Sequence, residues 1–88
     1  DEVLQTEELA AELIRFLAAN YPGVLENKYA ITAAPDPYVM LGRIAESRHC
    51  LVRGNELDTE KAAMLLMDDF REGKLGRLTL EYPQTEEA

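Results

Sequence analysis

The chain has 88 residues, 47% of them apolar, which suits one globular domain and argues against disorder throughout. Its longest apolar run, Ala62 to Met67, is too short for a membrane span of roughly 18–20 residues or for a signal-peptide core. The formal net charge of −8 opposes polyanions taken as a whole, and the single Cys50 excludes an internal disulfide and any Cys-rich zinc site.

A lone cysteine fits a reduced, cytoplasmic setting. The chain opens on Asp1-Glu2 with no Met, so the expectation is one domain, 1–88, excised from a longer protein.

In chain order, Thr6 reads as an N-cap, with Glu7 and Glu8 in the favourable first turn. Leu9, Leu13, Phe16 and Leu17 follow at helical spacing, with Ile14 beside them. Pro22 disfavours helical geometry at Tyr21, so this helix should stop near Asn20. A short second helix is expected from Pro22 to Tyr29. Asp36-Pro37 is a start signal, an acidic N-cap followed by proline at the first helical position. The helix it opens carries Met40, Leu41 and Ile44 and runs to about Ser47. Gly42 inside it suggests close packing against another helix.

Cys50-Leu51-Val52 reads as an apolar plug, followed by the turn pair Gly54-Asn55. Asp58 caps the next helix, which carries Ala62, Ala63, Leu66, Met67 and Phe70. Its six-residue apolar run predicts a central helix buried on more than one side, ended by Gly73. Leu78-Thr79-Leu80 alternates as a half-buried extended segment does, and 82–88 reads as a disordered tail. The fold class is therefore all-α, a small bundle of four to five short helices with an extended C-terminal tail.

Residues 70–81, Phe-Arg-Glu-Gly-Lys-Leu-Gly-Arg-Leu-Thr-Leu-Glu, bear on nucleotide chemistry. A phosphate-binding loop needs Gly-x4-Gly-Lys-Ser/Thr before a helix. Here Asp68 stands where the first glycine belongs, Leu75 replaces the hydroxyl, and the helix comes before the glycine. A helix cap at Gly73, with Arg71 and Lys74 at the negative end of the dipole, accounts for the same residues. Catalysis finds no better footing. Cys50 beside His49 reads as a small buried hydrophobe, because adjacent side chains rarely aim at each other. Asp68 and Asp69 diverge by about 100° on a helix and so do not share a proton. They read as one exposed acid and one partner for a nearby base. The expectation is no enzyme activity in this chain.

Binding is left. Seven of the nine basic residues fall between Arg43 and Arg77, where the charge is nearest neutral. Arg43, Arg48 and Arg53 come from the third helix and the loop after it, and Lys61, Arg71, Lys74 and Arg77 from the last helix and its exit. They could form a phosphate-contacting face or a solvated surface of mixed charge.

Residues 42–81 resemble the C-terminal domain of the YlqF/RbgA family of circularly permuted GTPases that assist assembly of the large ribosomal subunit. The resemblance rests on an ordered run of motifs. These are Ile44-Ala45, Cys50-Leu51 followed by Arg53-Gly54, Asp58-x-x-Lys61-Ala62-Ala63, Asp69-Phe70-Arg71, and Gly73-Lys74-Leu75-Gly76-Arg77 with a short tail to Glu81. Residues 1–41 fit more loosely, through a helix, Tyr21-Pro22, and Lys28-Tyr29 before a proline-bearing loop. The sequence departs from the family at Asn55, where a second glycine is usual, and at His49, where glycine is often seen. The resemblance implies an ANTAR-like helical bundle that docks on ribosomal RNA or a pre-ribosomal particle beside its own GTPase domain. It places GTP and Mg in that separate domain, with no cofactor in this one. Carried over by position, the RNA-binding candidates are Arg48, Arg53, Lys61, Arg71, Lys74 and Arg77. The alternative is a protein-interaction or intramolecular regulatory domain that uses its acidic first helix.

Overall fold

The computed structural model describes residues 5–76. Over that span the chain forms four α-helices and no strand: α1 Gln5–Asn20, α2 Val24–Tyr29, α3 Pro37–Ser47 and α4 Thr59–Arg71. A short 3-10 turn, Arg53–Asn55, lies between α3 and α4. The expected extended segment 78–81, the 82–88 tail and Arg77 fall outside the described residues.

α1 turns Ala10, Ala11, Ile14 and Leu17 inward at helical spacing, all buried. It already includes Gln5 and Thr6, so Thr6 lies inside the first turn and is not its cap. Gln5 is a good helix former, and no breaker separates the two residues. Pro22 ends α1 as expected, but α2 begins only at Val24, because Gly23 has φ 92°. α2 buries Leu25 and Tyr29.

Both predicted aspartate caps form. The Asp36 carboxylate accepts from the Tyr38 N–H at 2.9 Å, and Asp58 accepts from the Lys61 N–H at 3.0 Å. α3 buries Met40, Leu41, Ile44 and Ala45, and α4 buries Ala62, Ala63, Leu66 and Asp69. α1 packs on all three other helices, whereas α4 packs on two, α1 and α3, so α4 is not the central helix that its apolar run suggests. That run is buried on one side only, since Met64 is 50% exposed. Gly42 does not mark a close helix crossing either. A Cβ there would meet only Leu57 Cδ1 from the following loop, at an ordinary 3.7 Å.

Three helices end alike. Each is followed by a residue in the left-handed region: Ala30 at φ 57°, His49 at φ 58° and Gly73 at φ 75°. After α3, the His49 N–H donates to the Glu46 carbonyl at 3.2 Å and the Cys50 N–H to that of Ala45 at 2.8 Å. After α4, Gly73 donates to Phe70 at 3.2 Å and Lys74 to Asp69 at 2.8 Å. These are the paired bonds of a Schellman closure, which satisfies carbonyls that would otherwise be orphaned. Only Gly73 is the residue type that announces it.

The α3–α4 connection is a tight loop. Leu51 pairs with Leu57 in a single antiparallel bridge, and the Asp58 N–H donates to the Cys50 carbonyl at 2.7 Å. Of the expected Cys50-Leu51-Val52 plug, only Cys50 is buried; Leu51 and Val52 are exposed. The loop is closed by the Leu51–Leu57 bridge and by the Val52 N–H donating to the Glu56 carbonyl at 2.8 Å, and not by packing these side chains on the core.

Candidate nucleic-acid interface

The basic residues divide by what their side chains already hold. The Arg43 guanidinium donates to the carbonyls of Thr32 at 2.9 Å and Ala33 at 3.0 Å, clasping the α2–α3 loop onto α3. Arg48 donates to the Lys28 carbonyl at 3.1 Å and lies 4.9 Å from the centre of the Tyr29 ring. It therefore braces α3 against α2. Arg71 pairs with Asp68 one turn earlier, and Lys74 pairs with Glu72 at 3.1 Å. The Glu72 bond and charge hold the Lys74 ammonium above its ordinary pKa, and Asp69 and Asp68 add to this. Among the described residues, Arg53 and Lys61 are exposed with no side-chain partner.

The candidates therefore do not form one cation-only patch. Lys61 and Arg71 stand ten residues apart on α4, about 15 Å along its axis. Arg53 and Lys61 flank the α3–α4 loop with Glu56, Asp58 and Glu60 nearby, and Asp58 is committed to its cap. Arg71 and Lys74 stand at the α4 exit among Asp68, Asp69 and Glu72. Arg77, the sixth candidate, lies outside the described residues.

The α4 exit also settles the phosphate-loop question. Gly73 and Gly76 have φ of 75° and 118°, and the turn between them seats Leu75 in the core, 6% exposed. The amide N–H groups of Gly73 and Lys74 are spent on the helix closure, so they present no anion nest.

Sequence reasoning missed the buried polar pair behind this end of the bundle. The Tyr29 hydroxyl donates to the Asp69 carboxylate at 2.7 Å, and both residues are buried. Burial first, and the Asp69 bond and charge next, push the Tyr29 phenol well above its ordinary pKa; Arg48 opposes this. Ser47 Oγ donates to the Tyr29 carbonyl at 2.8 Å, so one residue of α2 ties α3 to α4. Of the two adjacent aspartates, the exposed Asp68 takes the base and the buried Asp69 takes the tyrosine.

No group of three or more His, Cys, Asp or Glu side chains among the described residues is arranged to hold a metal. Cys50 is buried, while His49 is exposed in its left-handed cap position. A groove of about 500 Å³ between α1, α2 and the α2–α3 loop is lined mainly by aliphatic residues such as Leu17, Val24, Ala34 and Met40. No described helix is long and apolar enough to cross a membrane.

Comparison with known proteins gives a consistent answer. No family model matches the chain, and no solved structure matches it significantly. Curated relatives do. The chain is 33% identical over 85 residues to ribosome biogenesis GTPase A of Bacillus cereus, covering 96% of this chain and 29% of that protein. The same protein of Priestia megaterium is 32% identical over 88 residues, covering 99% and 31%, and that of Bacillus pumilus 31% over 86 residues, covering 97% and 30%. The likeness thus takes in residues 1–41 as well as the motif-bearing half. The chain spans about 30% of the length of the relatives it matches. Over nearly its whole length, this helical chain is homologous to one domain-sized part of ribosome biogenesis GTPase A.

Proposed function

We propose that the chain is the C-terminal, RNA-docking domain of a cytoplasmic GTPase that assists assembly of the large ribosomal subunit. In this reading it binds and does not catalyse. GTP and Mg belong to a separate GTPase domain, which this one orients on ribosomal RNA or a pre-ribosomal particle. The observation that carries the reading is the alignment of almost the entire chain with ribosome biogenesis GTPase A.

Within the candidate set, Arg53 and Lys61 contribute most, since each is exposed and unpaired among the described residues. Arg71 and Lys74 contribute next. Their ion pairs are exposed, and such pairs are worth about 0–1 kcal/mol, so a phosphate displaces Asp68 or Glu72 at small cost. Arg77 follows them in sequence and belongs to the same group. Arg48 contributes least, because its guanidinium already holds a carbonyl and a ring. With a net charge of −8, the domain's affinity depends on these few contacts and on help from the GTPase domain.

The test is RNA binding as a function of salt. Log affinity should fall linearly with log salt, with a slope of about −0.7 to −0.9 per phosphate neutralised. Arg53→Ala with Lys61→Ala should weaken binding and flatten the slope by about 1.4–1.8. An unchanged affinity and slope in that double variant would count against the assignment.

A further inference from the structure

Four of the seven exposed large apolar side chains among the described residues share one flank of the bundle. Tyr38 and Val39 belong to α3, and Leu51 and Leu57 to the α3–α4 loop. Gly42 joins the two pairs. It lies one turn after Tyr38 and Val39, and Leu57 Cδ1 is 3.7 Å from where its Cβ would stand. The antiparallel bridge sets Leu51 beside Leu57. Tyr38 is the one exposed aromatic residue in the described span, and its ring stacks on no other. The Asp36 cap fixes its backbone, holding its N–H at 2.9 Å.

We propose that this flank takes an unpaired nucleotide of the RNA, its base stacked on Tyr38 beside Leu57 and its neighbouring phosphates on Arg53 and Lys61. The inference rests on the RNA reading and deepens it, by naming the class of RNA. Arg53 and Lys61 stand four residues before and after Leu57, both exposed and without a side-chain partner. Glu46, Glu56, Asp58 and Glu60 lie on or next to the same flank. Two cations among four carboxylates hold a polyphosphate weakly, so a site here needs apolar contact as well. The carboxylates also select the occupant. A single strand carries about half the phosphates of a duplex per unit length, so it meets less repulsion. A paired stem keeps its base faces stacked on one another and offers nothing to an exposed aromatic ring. An unpaired base brings a π-face that stacks on tyrosine whatever the base.

The experiment uses the full 88-residue chain and two RNAs. One is a hairpin with a loop of about six nucleotides that carries 2-aminopurine; the other is a blunt duplex of the same stem. Fluorescence anisotropy reads affinity, and 2-aminopurine emission reads stacking. The hairpin should bind more tightly than the duplex, and its emission should change with the parent chain and with Tyr38→Phe, which keeps the ring. Tyr38→Ala places a good helix former at an exposed position, so the bundle stays folded. It should bind the hairpin about tenfold more weakly and lose the emission change. Its salt slope should match the parent's, because tyrosine neutralises no phosphate. If Tyr38→Ala binds the hairpin as the parent does while Arg53→Ala/Lys61→Ala weakens it, the stacking site is overturned and the RNA reading stands. Equal affinity for duplex and hairpin overturns it in the same way. Binding of neither RNA by the parent overturns both.

Discussion

At the scale of single residues, the basic side chains show how much depends on neighbours. Arg43 and Arg53 are the same residue type ten positions apart, but one clasps two carbonyls and the other is unpaired among the described residues. Nothing local in sequence separates them, because the carbonyls come from a loop that only the fold brings close. Asp69 is a sharper case. Its partner Tyr29 is forty positions away, and a buried carboxylate without that hydroxyl would be left unsatisfied. Tyr29→Phe should therefore cost about 1–3 kcal/mol in urea unfolding. The same pair has a pH signature. Because the folded state raises the Tyr29 pKa, its contribution is full below the unfolded phenol's pKa of about 10 and is lost as pH rises beyond it. Unfolding measured from pH 8 to 11 should show a steeper alkaline loss in the parent chain than in Tyr29→Phe. Equal slopes would mean the pair is not formed.

At the scale of elements, the four helix ends fall where the sequence places them, whereas two of the four starts do not, since Thr6 lies inside α1 and α2 begins at Val24 and not at Pro22. Asp36-Pro37 and Asp58 announce themselves, because an aspartate cap is a chemical requirement carried by the residue itself. The left-handed closures at Ala30 and His49 were hidden, since neither residue type favours that conformation. His49 was marked only by the family resemblance, as a position where glycine is often seen; its φ of 58° gives the physical reason for glycine there. His49→Gly and Ala30→Gly should each stabilise the domain by about 0.5–1 kcal/mol in thermal or urea unfolding. Gly42 runs the other way. It lies inside α3 with room for a methyl group, so Gly42→Ala should raise stability by about 0.5–1 kcal/mol. A loss of stability there would mean that Leu57 lies closer to α3 than 3.7 Å.

At the scale of the whole molecule, helical periodicity and two caps were enough to give the all-α architecture, but not that α1, and not α4, packs on all the other helices. They could not show that α4 keeps Met64 in water, because an apolar run looks the same whether one side or two are covered. The binding face was less legible still. Sequence groups Arg71 and Lys74 with Arg77 as a basic cluster, whereas folding pairs Arg71 with Asp68 and Lys74 with Glu72. Of the RNA-binding candidates in the described span, the two without a side-chain partner, Arg53 and Lys61, stand at the α3–α4 loop and the start of α4 instead, and with −8 on the chain a few contacts must carry any RNA affinity. The central claim, that this domain docks a ribosome-assembly GTPase on RNA, is tested most directly by co-sedimentation of the domain, joined to its GTPase domain, with large-subunit precursor particles. Changing Arg53, Lys61, Arg71, Lys74 and Arg77 together to alanine should release it from the particles at moderate salt. Retention equal to that of the parent protein would contradict the account.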